Sequence, residues 1–341
     1  MAYQPSYVAL LKSGELENRA LEFQNRLKAC DLCPRNCGVN RTGGEVGICG
    51  VGKNVWVNSY GPHHGEEDPL RGWCGSGTIF FSGCNLHCLY CQNAEISQHR
   101  TGSELSAEAL ADIMLELESR GCHNLNLVSP THVAAQITGA VLIAAKRGLK
   151  LPIVYNTGGY DSIQTLKLLD GIIDIYMPDM KYSQPDVGER LSNVPDYPAA
   201  NQLAVKEMFR QVGDLTLTAQ GIAERGLLIR HLVLPGDLAG SKAILKFIAE
   251  ELSQNTYLNI MDQYRPSYLA LTHRDVNRRI TRDEYQGVVW MKPQSLVCTD
   301  WISGEDILNR NLATDFQFRD LKWVVEMKDL SKKRSKSNLM L

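Results

Sequence analysis

Hydrophobic positions change their rhythm twice along this chain. In residues 1–29, Leu16, Ala20, Phe23 and Leu27 recur at helical spacing, which predicts a helical lead-in with one apolar stripe. Residues 30–76 lose that rhythm. The part at 30–50 is rich in Cys, Gly and Arg and reads as a small knuckle held by its ligands. The part at 51–76 reads as irregular and carries the polar run HHGEED at 63–68. Through 77–265 short apolar runs alternate with amphipathic segments. Strands are predicted at 78–82, 124–128, 152–156, 172–177, 227–234 and 257–261, and helices near 105–120, 132–147, 161–169, 199–211 and 239–254. Thr131, after Ser129–Pro130, is the predicted N-cap of the second of these helices.

Apolar strands alternating with helices mean parallel βα units in an α/β fold. Six such units suggest a partial (β/α)6 TIM-like barrel preceded by the small cysteine-rich metal-binding module. In a barrel the chemistry sits at the C-terminal ends of the strands. Periodicity alone does not separate this from a flat, doubly wound sheet. Residues 266–328, with Trp290, Trp301 and Trp323, are expected to close the barrel or cover its base. Residues 329–341, DLSKKRSKSNLML, read as a basic, solvated and disordered tail.

Composition narrows the function. The chain has 341 residues, 44% of them hydrophobic and 22% charged, with a formal net charge of −2. That is a globular mixture with no basic field for coating nucleic acid. The longest apolar stretch, 137–145, is far short of the ~20 residues that span a bilayer. The N-terminus lacks a secretory pattern, so a cytoplasmic location is expected, with no membrane partner. Ten cysteines therefore point to metal rather than disulfides, and seven of them fall in two tight clusters.

Cys84, Cys88 and Cys91 stand at C-x3-C-x2-C, directly after the first predicted barrel strand. Three thiolates bind three irons of a [4Fe–4S] cluster, where four cysteines are the usual complement, and leave one iron open. An open iron can chelate an amine and a carboxylate, as S-adenosylmethionine presents them. Reduction then places an electron beside the sulfonium, and homolysis gives a 5′-deoxyadenosyl radical that abstracts hydrogen from an unactivated C–H bond. The competing readings are buried thiols or a zinc site with His87 as fourth ligand, which its adjacency to Cys88 makes awkward. A non-catalytic electron-transfer or metal-binding protein is the alternative function, and would need four ligands on each cluster.

The motif, with Tyr90 just before its last cysteine, resembles the radical S-adenosylmethionine superfamily, and the resemblance makes Tyr90 a candidate cofactor contact. The surrounding GSGTIFFSGCNLHCLYCQN is similar to homologues of pyruvate formate-lyase activating enzyme. CDLCPRNCGVNRTGGEVGICG, HHGEEDPL, NLVSPTHV, DIYMPDMKY, RHLVLPG and MDQYRP extend the resemblance over roughly residues 30–265. It implies an oxidoreductase, an electron donor such as flavodoxin or ferredoxin, and either a glycyl radical enzyme as protein substrate or a small-molecule or peptide substrate. Its usual Gly-Gly-Glu segment is replaced here by Val128–His132, where Ser129 and Thr131 are candidates for the cofactor's amino group and His132 for a pocket-facing or structural role. Asn156, a further candidate cofactor contact, stands where activating enzymes carry an acid, before the Gly158–Gly159 turn. Asp179 and Lys181 match an Asp-x-Lys near the cofactor and are the candidate catalytic pair. Arg230 and His231, adjacent on one strand, point to opposite faces, and one of them is expected to meet the cofactor carboxylate. Gln263, Tyr264 and Arg265 are further contact candidates.

Cys30, Cys33, Cys37 and Cys49 give C-x2-C-x3-C-x11-C, a four-thiolate site that suits structural zinc or a second [4Fe–4S] cluster equally. Cys74, Cys122 and Cys298 stand alone and read as small buried hydrophobes. Cys74, in a Gly-rich turn, is also a candidate hydrogen or thiolate source near the site. His63, His64, Glu66, Glu67 and Asp68 form a dense polar loop expected to face substrate or shield the cluster.

Overall fold

The structure is a computed structural model and describes residues 3–291. In chain order its strands are β1 (Val55–His63), β2 (Ser76–Phe81), β3 (Ser103–Leu105), β4 (Leu125–Val128), β5 (Ile153–Thr157), β6 (Ile175–Pro178), β7 (Thr216–Leu217), β8 (Ala223–Leu232) and β9 (Tyr257–Met261). Its helices are α1 (Tyr7–Ser13), α2 (Glu15–Arg26), α3 (Asp68–Arg71), α4 (Ala94–Ser97), α5 (Ala107–Ser119), α6 (Ala134–Lys146), α7 (Ile163–Leu169), α8 (Pro185–Ser192), α9 (Tyr197–Val212), α10 (Ser241–Glu251) and α11 (Arg282–Met291).

All six predicted strands are present, as β2, β4, β5, β6, β8 and β9, and each is parallel to the next. The sheet is open, with the antiparallel pair β1 and β3 on its β2 edge. It is nevertheless curved. Phe80 of β2 and Asn259 and Met261 of β9, from far-separated strands of the sheet, line one cavity together with Val128, Asn156 and Arg230. A flat sheet does not bring those strands to one cavity, so the partial barrel holds and the doubly wound alternative does not.

Alternation along the strands builds two cores. Outward Ile79, Leu125, Leu127, Tyr155, Ile229 and Ile260 join the helices in the main core, where the stripe Leu16, Phe23 and Leu27 is also buried. Inward Val154, Ile175, Leu228 and Tyr257 form an apolar plug with Leu70 of α3. Further along the same inner face stand Asn126, Asn156, Arg230 and Asn259. The barrel interior is thus apolar at its base and polar above.

Residues 51–76 are not irregular. They form β1 and α3, and α3 plugs the base through Leu70. The burial of Val55 and Val57 beside half-buried Trp56 and Asn58 begins an alternation that is lost along the exposed half of this edge strand. Among the described residues, this segment covers the base. The described part of the C-terminal extension lies at the other end, where the Ala270 N–H donates to the Leu89 carbonyl (2.8 Å), and Trp290 is 81% exposed. Thr131 does not cap α6. It begins a 3-10 turn, Thr131–Val133, and its hydroxyl turns inward. Trp301, Trp323, Cys298 and the tail lie outside the described residues.

Candidate active site

The Cys84–Cys91 loop leaves the C-terminal end of β2, where barrel chemistry resides. Cys88 is buried and Cys84 and Cys91 are half-buried, all as free thiols. Burial pushes the Cys84 thiol up to about 12, and Cys88 and Cys91 add to it, so the three sulfurs feel one another. Cys88 is also raised, by burial first. Thiolates here need positive charge beside them, which iron supplies. Among the described residues no group of three or more His, Cys, Asp or Glu side chains is already closed around a point where a metal ion would sit. Ser192 donates its hydroxyl to Cys88 Sγ (2.9 Å). Behind it the Tyr182 and Tyr90 hydroxyls continue the chain, at 2.7 and 2.6 Å. Tyr90 also meets Tyr264 edge to face, and Tyr264 donates to the Val276 carbonyl (2.7 Å).

Beside the loop runs a chain of alternating charges. Lys181 Nζ donates to Asp179 Oδ2 (2.7 Å). Arg230 donates through Nε to Asp179 Oδ1 (3.0 Å) and through Nη2 to Asn156 Oδ1 (2.8 Å). Arg230 Nη1 lies 3.7 Å from Glu66. Burial would raise the Asp179 carboxyl, but Arg230 and Lys181 outweigh it and hold the group below its ordinary value. Burial likewise opposes the charge on Lys181, yet Asp179 and Cys88 outweigh it and hold the ammonium above its ordinary value.

Of these residues Arg230, Asn156 and Glu66 line a cavity of about 290 Å3, while Asp179 and Lys181 stand behind Arg230 and are not part of the cavity wall. Its floor comes from the HHGEED loop. Asn126 Nδ2 donates to Glu66 Oε2 (2.6 Å) and Asn259 Nδ2 donates to Glu67 Oε2 (2.8 Å). Burial raises the Glu67 carboxyl above its ordinary value. His63 and Gln263 also line the cavity, while His64, Asp68 and Arg265 are exposed.

Three expectations, at His231, Thr131 and Cys74, are corrected here. His231 is on the outer face of β8, buried between the Met180 carbonyl (2.7 Å) and the Ser241 hydroxyl (2.9 Å), so Arg230 alone of that pair meets the cavity. The Thr131 hydroxyl is committed to Asp161 (2.7 Å) and Thr157 (3.0 Å), a buried network behind the cavity wall. Ser129, at φ 59°, closes β4 through its backbone N–H to the Asn156 carbonyl (2.9 Å), one residue beyond Val128 of the cavity wall. Cys74 precedes β2 while the cluster loop follows it, so a six-residue strand of ~20 Å separates them. Cys122 is a buried hydrophobe in the main core. The sequence reading passed over Ser192, Asn126 and Asn259. Two of these carried a signal, an asparagine inside the apolar runs LNLV and YLNIM.

A second cavity is lined by Cys30, Cys33, Cys37 and Cys49 with Arg35, Arg41 and His132. His132 is buried, and its Nε2 bonds the Ser82 carbonyl (3.0 Å), so the residue is structural and does not face the barrel cavity. Burial lowers its pKa to about 4 and keeps it neutral.

A barrel whose cysteine loop opens beside charged residues at its strand ends is the architecture of a cofactor-dependent α/β enzyme. The radical SAM superfamily model matches residues 78–222. The uncharacterised Methanocaldococcus jannaschii protein MJ0674 is 32% identical over 288 residues, 81% of this chain and 78% of that one. MJ0808 of the same organism is 26% identical over 41% of this chain and 46% of its own. The chain belongs to the radical S-adenosylmethionine superfamily, whose cofactors are a [4Fe–4S] cluster and S-adenosylmethionine. Similar solved structures include Streptococcus suis SuiB bound to S-adenosylmethionine (TM-score 0.46, 11% identity, 68% of this chain). Another is HydG, a maturase of the [FeFe]-hydrogenase (TM-score 0.43, 14% identity, 63% of this chain). The matches span about half of those two chains, 51% and 49%. Among the described residues no helix is long and apolar enough to cross a membrane.

Proposed function

We propose that this chain abstracts hydrogen from a substrate held above Glu66 and Glu67, with Cys84, Cys88 and Cys91 as the ligands of its family's cluster. When bound, cluster and S-adenosylmethionine supply reductive cleavage of the sulfonium and a 5′-deoxyadenosyl radical. The chain's residues orient and insulate. Arg230 offers its fork to the cofactor carboxylate, and Asp179 and Asn156 fix that fork in place. Lys181 places a positive charge beside the cluster sulfurs. Leu86, Leu89 and Tyr90, buried over the loop, keep water out. The observation that carries this reading is that the three-cysteine loop and Asp179 both follow the C-terminal ends of parallel strands of one barrel, and that Asp179 pairs with Arg230, which lines the polar cavity.

The resemblance around residues 75–93 supports an activase that installs a glycyl radical on a partner enzyme. Asn156 favours a small molecule or peptide side chain instead, because it stands in place of the acid and is bonded to Arg230. The electron donor in this reading is a flavodoxin or ferredoxin, and the setting is the cytoplasm. The test is protein reconstituted with iron and sulfide without oxygen, reduced, and followed by electron paramagnetic resonance. Adding S-adenosylmethionine is expected to change the cluster spectrum, and an unchanged spectrum on fully loaded protein contradicts the reading.

A further inference from the structure

The N-terminal cysteines lie in a cavity that two arginines share. Cys30, Cys33, Cys37 and Cys49 share it with Arg41 and Arg35. Arg41 is 1% exposed. Its Nε donates to the Gly52 carbonyl (2.9 Å) and its Nη1 to the His132 carbonyl (2.7 Å), with Cys30 Sγ at 3.8 Å. Its Nη2 has no partner, and neither has Arg35 Nη2. Among the described ion pairs no carboxylate meets Arg41. A buried guanidinium without an anion is strongly unfavourable, and neutral thiols do not supply one. Four thiolates on a metal group do.

The cavity also fits tightly around its cysteines and abuts the central loop. A Cβ on Gly47 would stand 2.8 Å from Cys37 Sγ. Gly83, one residue before Cys84, has φ 82°, and a Cβ there would stand 2.6 Å from the Cys49 carbonyl. Asn85, one residue after Cys84, lines the cavity itself, and Arg35 Nε donates to its carbonyl (2.9 Å). One stretch of backbone, Gly83–Cys84–Asn85, therefore touches both cysteine sites.

We propose that Cys30, Cys33, Cys37 and Cys49 hold a second [4Fe–4S] cluster, with Arg41 and Arg35 donating N–H groups to its sulfurs, and that it is the electron entry to the central site. A zinc ion in four thiolates would balance the same charge. It is redox-inert and offers no inorganic sulfide to the two unpartnered guanidinium nitrogens. Placement against the central loop gives a one-electron carrier a use that zinc lacks. The balance is simple: a low-potential donor protein reduces the N-terminal cluster by one electron, which passes to the oxidised central cluster and regenerates the N-terminal one. The electron-entry role rests on the function proposed above, whereas the identity of the metal group does not.

The test uses the full chain with Cys84, Cys88 and Cys91 all changed to Ala, reconstituted with iron and sulfide without oxygen. It is expected to retain roughly four iron and four sulfide per chain and to show a reduced-cluster resonance that S-adenosylmethionine leaves unchanged. One zinc with no iron, or no metal in a variant that still melts cooperatively, overturns the assignment. If that variant does not fold, Cys37→Ala/Cys49→Ala in the otherwise intact chain serves, with iron expected to fall from roughly eight to roughly four per chain. Iron unchanged from wild type overturns the proposal equally. In the same double variant dithionite is expected to reduce the central cluster at the wild-type rate while reduced flavodoxin does so at least tenfold more slowly. Equal rates with flavodoxin remove the electron-entry role.

Discussion

The two cysteine sites of this protein differ in what surrounds their sulfurs. The Cys84 loop opens beside a cavity and a chain of charges, Lys181, Asp179, Arg230 and Glu66, that are already paired with one another. The N-terminal site is closed by Arg41, Arg35 and His132, and two of its guanidinium nitrogens have no partner at all. Three cysteines with a prepaired polar cavity leave room for a cofactor and a substrate. Four cysteines with unpaired donors are complete once the metal group is in place. Cysteine count and neighbouring charge together separate the site of chemistry from the site that serves it.

The comparison is broken most severely at Asp179. Asp179→Ala leaves Arg230 and Lys181 buried without their shared carboxylate and is expected to cost about 3–5 kcal/mol in a urea titration. Its pH dependence has a definite sign. The folded carboxyl is held below its ordinary value, so its stabilisation is present above ~4 and is lost as pH falls through the folded pKa. The gap between wild type and variant should therefore close in acid. A gap that widens in acid would mean that the carboxylate is not charged in the folded protein.

The closed site is next. Gly47→Ala drives a methyl toward Cys37 Sγ and is expected to destabilise the chain by about 1–3 kcal/mol, with lower iron content. An unchanged melt and iron content would show that the cavity has slack. For the open site, Arg230→Met is expected to raise the KM for S-adenosylmethionine ~10–100-fold through a lost charged hydrogen bond, with His231→Gln leaving it unchanged. The reverse order would place the wrong face of β8 toward the cofactor. The smallest effect is at Ser192. Ser192→Ala removes one O–H···S bond worth ~1 kcal/mol, and is expected to lower the central cluster's midpoint potential by ~40 mV in a redox titration. The N-terminal cluster's potential should not move.

Much of this was legible in the sequence, and the reasons are local. Six buried strands announced themselves as apolar runs because both faces of each are covered. The cysteine spacings announced themselves because ligands must be close in chain to wrap one group. What stayed hidden depends on the other elements. The alternation of β1 fails along its exposed half, so the segment read as irregular. Glu66 and Glu67 read as a polar loop, because only the fold carries that loop into the barrel. Thr131 has the sequence of a helix cap, but Asp161 from the next loop takes its hydroxyl. Adjacent Arg230 and His231 had to face opposite ways, and only register with Asp179 settles which faces in. Ser192 reaches Cys88 across 104 residues, a contact with no trace in local pattern.

The central claim is that Cys84, Cys88 and Cys91 hold the cluster at which S-adenosylmethionine is cleaved. Its most direct test is the yield of 5′-deoxyadenosine and methionine from anaerobically reconstituted protein with dithionite, beside Cys88→Ala. Equal amounts of both products from the wild type, and none above background from the variant, are predicted. Fully loaded wild-type protein that forms neither product would contradict the account.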